Sequence, residues 1–241
     1  MQSTTYRNKK KFLEPVLDYL KRLALLEILE LLGHISLLVG VIVFIAGEED
    51  RRNSEIYQAW QVITAAHNQA GSGGRIQALE FLNSEPRRIP WFWLTWEKES
   101  LAGLEAPKAD LIKVQLSDAY LFNANLQKAY LVEADLPGAY LVEAKLQGAK
   151  LQGANLRGAN LQEANLQEAN LQEANLQGTK LEQANLRGAD FKNVLYSDET
   201  TLKAVCKKLD MDYPCPTIFP KYFDPKAAGM KLIKDLKDIP K

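Results

Sequence analysis

From Ala109 to Asn193 the chain repeats every five residues: a small residue, a variable one, a leucine, then two more variable ones. In order the units are ADLIK, VQLSD, AYLFN, ANLQK, AYLVE, ADLPG, AYLVE, AKLQG, AKLQG, ANLRG, ANLQE, ANLQE, ANLQE, ANLQG, TKLEQ, ANLRG and ADFKN, with VLYSD (194–198) a degraded continuation. This period fits neither ordinary element. On an α-helix five residues advance about 500°, so the leucines spiral round the axis and leave no apolar stripe. On a strand an odd period sends alternate leucines to opposite faces. The chain must therefore turn inside every unit.

Some corners can be read directly. Leu136-Pro137-Gly138-Ala139 carries Pro and Gly at the two central positions of a type II turn. Leu-Gln-Gly-Ala at 146–149 and 151–154 repeats it without the proline, as does Leu-Arg-Gly-Ala at 156–159 and 186–189. Units ending in Glu lack a residue that accepts positive φ cheaply, so a second turn type is expected there. If each corner bends the chain by about 90°, four units close one coil and residues twenty apart stack. Coils spaced at about 4.8 Å give a rod roughly 20 Å long. Each buried leucine contributes roughly 1.5–3 kcal/mol, but one coil cannot cover its own leucines, so the stack is stable only as a whole.

These A(N/D)Lxx units resemble the pentapeptide-repeat family. The resemblance covers about a third of the chain, with Val114 and Thr179 standing where Ala is usual and Lys or Tyr often filling the Asn/Asp slot. It implies a mainly β fold: a right-handed quadrilateral β-helix with Leu111 to Phe191 and Ala109 to Ala189 in its core. An N-terminal helical region with a transmembrane helix is expected before the coil, and a short helical C-terminal cap after it. The expected divisions are 1–30, a basic and amphipathic segment; 31–47, the transmembrane helix; 48–108, a helical linker and N-terminal cap; 109–198, the repeats; and 199–241, cap and tail.

The anchor is read from residues 31–47, LLGHISLLVGVIVFIAG, which carry no formal charge. That is the short end of the roughly 17–25 residues needed to span a bilayer. A buried helix of a soluble protein is the competing reading, but little else in the chain could cover an all-round apolar helix. A cleaved signal peptide fits less well, because thirty residues precede the apolar run and no small-x-small site stands clearly behind it. Arg7, Lys9, Lys10, Lys11, Lys21 and Arg22 precede the span, and only Arg51 and Arg52 closely follow it. The positive-inside rule then places the N-terminus in the cytoplasm and the repeats on the exported side, periplasm or thylakoid lumen. Glu27, Glu30 and His34 share a helical face; they sit at the cytoplasmic interface unless immersed, where they would mark an ion path or a helix contact.

Residues 48–83 read as helix broken by Gly71-Ser72-Gly73-Gly74, a plain turn with no phosphate-loop context. Ile56, Ala59, Trp60, Ile63 and His67 share one face of it. Residues 59–83 resemble the region joining a membrane helix to pentapeptide repeats in proteins abundant in photosynthetic bacteria. The aromatic run Ile89-Pro90-Trp91-Phe92-Trp93-Leu94-Thr95-Trp96 suits either a cap on the open coil or a headgroup interface. After the repeats, Ser197-Asp198 can cap a helix over 199–209, and Asp224-Pro225 can start a last short one. The YFDP…GM stretch resembles the segment C-terminal to the repeats in the same membrane-linked group. Lys231 to Lys241 reads as a solvated tail.

Chemistry-bearing patterns do not stand out. The two histidines are 33 positions apart, and HExxH, GxSxG and Cys-x-x-Cys are missing. No enzymatic activity, cofactor, metal or small-molecule substrate is expected. Cys206 and Cys215 read most simply as separate free thiols; a disulfide requires that they lie outside the cytoplasm. Thirty basic and thirty acidic residues balance, and residues 109–193 hold ten acidic against eight basic, a net of −2. Some family members imitate duplex DNA and bind type II topoisomerases, but this field is too weak to mimic a charge every ~1.7 Å. No nucleic-acid partner is expected.

What is left is a binding surface. Tyr120 and Phe122 recur twenty residues on as Tyr140 and Val142, so these four should stack on one outer face as a candidate interaction surface. Tyr130 and Val132 should lie over Asp110 and Ile112 on the opposite face. The expected function is a non-enzymatic, membrane-anchored scaffold presenting a rigid rod to a protein partner. The alternative is a cytoplasm-facing regulator of a soluble target.

Overall fold

The computed structural model describes residues 3–66, 74–84, 98–201, 203–208 and 215–235. His67, Gly71 to Gly73 and the aromatic run 89–96 lie outside the described residues. The elements are α1 (Ser3–Ala65), α2 (Arg75–Leu82), β1 (Leu195–Tyr196), α3 (Lys203–Lys208) and β2 (Lys231–Leu232). The chain divides into two bodies, one up to Glu55 and one from Ile56.

The first body is α-helix. Asp18–Phe44, 27 residues holding an 18-residue stretch of mean hydropathy 2.1, has the length and composition of a membrane span or a signal segment. Its large apolar side chains are exposed, Leu25, Leu29, Leu38 and Phe44 among them, and none of the stretch is buried in protein. At its C-terminal end Arg51 lies 5.1 Å over the Phe44 ring and pairs with Glu48. The helix itself runs on through Glu27 and Glu30.

The second body is a four-sided coil. Parallel bridges join residues twenty apart along four columns, such as Asn125↔Lys145, Tyr130↔Lys150, Asp135↔Asn155 and Tyr140↔Asn160. From Leu101 to Glu173 the leucine amide donates to the coil above, as Leu141 N to the Asn160 carbonyl at 2.7 Å, and so does the corner amide, as Glu143 N to the Gln162 carbonyl at 3.0 Å. The unit's small residue and its leucine point inward, and Leu111 through Leu181 are almost wholly buried. The Asn or Asp between them has its own task. Asn160, Asn165, Asn170 and Asn175 each accept, through Oδ1, the amide two residues on at 3.1–3.2 Å, an Asx turn that leads into the corner.

The corners are more uniform than expected. Twelve non-glycine corner residues, from Lys108 to Asn193, have φ of 52–61°, and seven corner glycines have φ of 65–71°. Positive φ is therefore imposed at every corner, Glu included, and the expected second turn type does not come from avoiding it. The reason is stacking. Each coil must superpose on the next to satisfy the ladder, and a corner of different shape would break two rows of hydrogen bonds.

The coil also begins before Ala109. Leu101, Leu104 and Ala106 are buried, and Glu105 bridges Asn125. ESLAG and LEAPK hide these turns because Leu104 fills the small-residue slot and Ala106 the leucine slot. Below them α2 buries Ala78, Leu79 and Leu82 against the core. Its Glu80 carboxylate accepts Gln115 N at 2.9 Å, and Asn83 Nδ2 donates to the Ser117 carbonyl at 3.0 Å. Side chains thus take the place of a missing coil at the sheet edge. Arg75, buried, donates from Nη1 to the Ala66 carbonyl at 2.8 Å; burial lowers its pKa and nearby Asp110 opposes that.

At the other end the return segment 215–235 lies on the coil. Ile218 bridges Lys180, and β2 pairs in parallel with β1, Leu195 to Lys231 and Tyr196 to Leu232. Phe191, Tyr196, Phe219 and Phe223 close the apolar end, with ring centroids 4.9–5.8 Å apart. Four expectations are corrected by this end of the coil. The tail does not begin at Lys231, because Met230 and Ile233 are buried and their neighbours pair with β1. Asp224-Pro225 starts a turn rather than a helix: Asp224 Oδ1 accepts Lys226 N at 2.9 Å, and Gly229 at φ 76° turns the chain into β2. Cys206 and Cys215 are not separate thiols but a disulfide, Cα–Cα 5.9 Å, joining α3 to the return segment. The helix expected over 199–209 is the shorter α3, Lys203–Lys208. Asp198 instead uses Oδ1 to accept Thr200 N in a tight turn.

Candidate interaction surface

The four residues singled out from the repeat lie together on one side of the coil. The Tyr120 and Tyr140 rings are stacked, centroids 5.0 Å apart and 8° from parallel, and Phe122 lies 6.5 Å from Tyr120. Tyr120 and Tyr140 remain 46 % and 37 % exposed, while Phe122 and Val142 are half-buried. A tyrosine in this slot cannot make the Asx bond that Asn160 makes one coil on. The stack, worth about 0.5–1.5 kcal/mol for an aromatic pair, offsets a lost hydrogen bond of similar size. On the opposite side Tyr130 bridges Asp110, and Ile112 and Tyr130 are exposed.

Counting charge along the sequence misses what sorting residues by side reveals. Around the Tyr120–Tyr140 side, residues 118–123, 138–143 and 158–163 contain Asp118, Glu143 and Glu163 and no Lys or Arg. Among the described residues Glu143 and Glu163, exposed at corners one coil apart, have no ion-pair partner. Around the Tyr130 side, residues 108–113, 128–133 and 148–153 contain Lys108, Lys113, Lys128 and Lys150 against Asp110 and Glu133. There Lys113 Nζ lies 3.1 Å from Glu133. Over these three coils the two sides differ in sign, three acids against four lysines and two acids; further along, Glu168, Glu173 and Asp190 against Lys192 cancel the excess on the Tyr130 side. The signal was present in the sequence at a period of twenty rather than five.

An open cleft of about 490 Å³ lies between Trp60, Ile63 and Thr64 on one side and Ala102 to Glu105 on the other, mostly apolar. Among the described residues no three His, Cys, Asp or Glu side chains could hold a metal ion. The shifted acids and phenols are structural. Asp190 is held below the usual carboxylate range by Lys192 N at 3.0 Å and Gln172 Nε2 at 2.5 Å. Burial pushes the Tyr196 phenol up.

A coil with a period of twenty, small and leucine residues inside, and left-handed corners defines a repeat solenoid. Residues 108–194 match the family described as Pentapeptide repeats, in eight copies. The chain is 33 % identical to alr5209, a pentapeptide repeat protein from Nostoc Pcc 7120 of known structure, over 52 % of this chain and 85 % of that one, with a TM-score of 0.38. It is 38 % identical to the pentapeptide repeat protein Rfr23 from the cyanobacterium Cyanothece 51142, over 48 % and 74 %, TM-score 0.26. It is 36 % identical to HetL, a pentapeptide repeat protein involved in heterocyst differentiation regulation in Nostoc sp. strain PCC 7120, over 40 % and 48 %, TM-score 0.24. No curated protein matches the chain. On its repeats and these sequence identities the chain belongs to the pentapeptide-repeat family. Membership implies a right-handed β-helix, and the four-sided coil is its form here.

Proposed function

We propose that this protein is a non-enzymatic interaction module, anchored in a membrane by α1 and presenting its coil to a protein partner. The observation that carries the reading is the exposed Tyr120–Tyr140 stack, a flat aromatic patch on a rigid support. Anchoring is supported by the uncovered apolar surface of Asp18–Phe44, which needs lipid around it. Six basic residues before residues 31–47 and two after them favour a cytoplasmic N-terminus and an exported coil, in periplasm or thylakoid lumen. The Cys206–Cys215 disulfide favours the same side, because such bonds persist in oxidising compartments. A coil facing the cytoplasm, regulating a soluble target, is the second reading; reduced cysteines in cells would favour it.

Protease added outside sealed, correctly oriented membranes separates the two. An exported coil is cleaved from outside or protected inside the lumen, according to the membrane isolated. For the surface, Tyr120→Ala combined with Tyr140→Ala should leave folding intact and remove a partner captured from solubilised membranes. An unchanged set of partners would sink the assignment of this face.

A further inference from the structure

Resting on the reading of the coil as an interaction module, we infer that the Tyr120–Tyr140 face docks the Tyr130 face of a second copy of this chain. Both faces have the same plan: an exposed apolar strip flanked by charge. One strip is Tyr120, Phe122 and Tyr140 beside Asp118, Glu143 and Glu163. The other is Ile112 and Tyr130 beside Lys108, Lys128 and Lys150, with Asp110 the one acid not matched by the Lys113–Glu133 pair, so this face keeps a net positive charge. Carboxylates left unpaired one coil apart repel each other, so an acidic corner flanking an aromatic strip is a cost that a cationic partner surface removes.

Geometry adds to charge. The columns of Tyr120 and Tyr130 are separated by two corners, so the faces lie on opposite sides of a four-sided coil. Their centres differ by about half a coil, roughly 2–3 Å along the axis at the spacing of paired backbones. Two copies standing side by side and pointing the same way therefore bring acidic face and basic face to one level. A contact between different faces is heterologous, and because the faces are opposite, repetition gives an open row rather than a closed pair. Each face spans three coils, about 14 Å, and buries far less than the ~1,000 Å² of a stable soluble complex. The association is therefore weak and depends on concentration, which confinement to a membrane raises.

Charge reversal tests this in the full chain, held in a non-ionic detergent and followed by sedimentation velocity over a range of concentrations. One variant carries Glu143→Lys and Glu163→Lys, the other Lys128→Glu and Lys150→Glu. Corner positions such as Glu143, Glu163 and Lys128 already hold both Lys and Glu at positive φ, and the exposed slot of Lys150 already holds an acid at Asp110 in the same column, so folding should survive. The unmodified chain should self-associate at low salt and weaken at least about tenfold near 0.5 M salt. Each variant alone should weaken by at least about tenfold, and an equal mixture of the two should regain association, since one offers two basic faces and the other two acidic ones. Misfolded variants could not produce that rescue. Self-docking is overturned if the unmodified chain is monomeric throughout, if the variants associate as it does, or if the mixture stays apart. If the chain is monomeric but the double tyrosine variant still loses a captured partner, self-docking falls while the interaction reading stands. Loss of both removes both.

Discussion

Replacing Glu163, Glu168 and Glu173 together by glycine should stabilise the protein, although it deletes three side chains. These residues occupy corners at φ 59°, 56° and 61°. A side chain held in the left-handed region costs roughly 1–2 kcal/mol, because Cβ crowds the following carbonyl. Glycine removes that cost but brings a more flexible unfolded chain, worth roughly 0.5–1 kcal/mol against it. The difference is about 0.5 kcal/mol per corner, or roughly 1–2 kcal/mol for three. All three side chains are exposed, so little packing is lost. The gain should appear as a rise in Tm of roughly 2–8 °C for a domain of this size, followed by circular dichroism of the full chain in detergent. As a control, Gly148→Ala places a methyl in the same backbone region with its nearest contact 3.4 Å away, at Lys128 Cγ, and should destabilise. A triple variant less stable than the starting protein would refute the argument. It would mean that the glutamates are held by side-chain interactions, not tolerated in spite of strain.

Two further expectations concern the C-terminal end. Breaking the Cys206–Cys215 bond with reductant, or by Cys206→Ser with Cys215→Ser, frees a short loop and should cost about 3 kcal/mol. Amide exchange at Thr217 and Ile218, which hydrogen-bond to Ser197 and Thr179, should then speed up while exchange at Leu141 and Leu161 stays slow. Asp190 has a depressed pKa, so its stabilising effect is present above the unfolded carboxylate value near 3.9 and is lost as pH falls through the lower folded value. Asp190→Asn should flatten acid unfolding of the last coil in that window; identical acid titrations would reject the assignment.

The spacing of leucines was enough to read the coil, its inward residues and the stacking of Tyr120 on Tyr140, because a strict period leaves the chain one way to bury them. Corner conformation was less legible. Residue preference at Glu163 argues against positive φ, but the amide of that same residue must donate to the Glu182 carbonyl, and the ladder prevails. The first turns were hidden by exchanged roles at Leu104 and Ala106. The β2 pairing was hidden by lysines on either side of buried Ile233. The disulfide could not be decided from spacing, since nine residues permit it without requiring it. The opposed charges of the two tyrosine faces were written in the chain but cancel in any sum along it.

The caps touch only the outermost turns: Glu80 and Asn83 hold Gln115 and Ser117 at one end, while Ile218 and Lys231 hold the last units at the other. The number of units in between is therefore free to change in steps. Twenty residues more or fewer would lengthen or shorten the spine and leave every column aligned. A loss of five would swing every later unit through a quarter circle, carrying the C-terminal closure round with it. Evolution can thus set the height of such a post and the bearing of its surfaces independently, by how many repeats it copies.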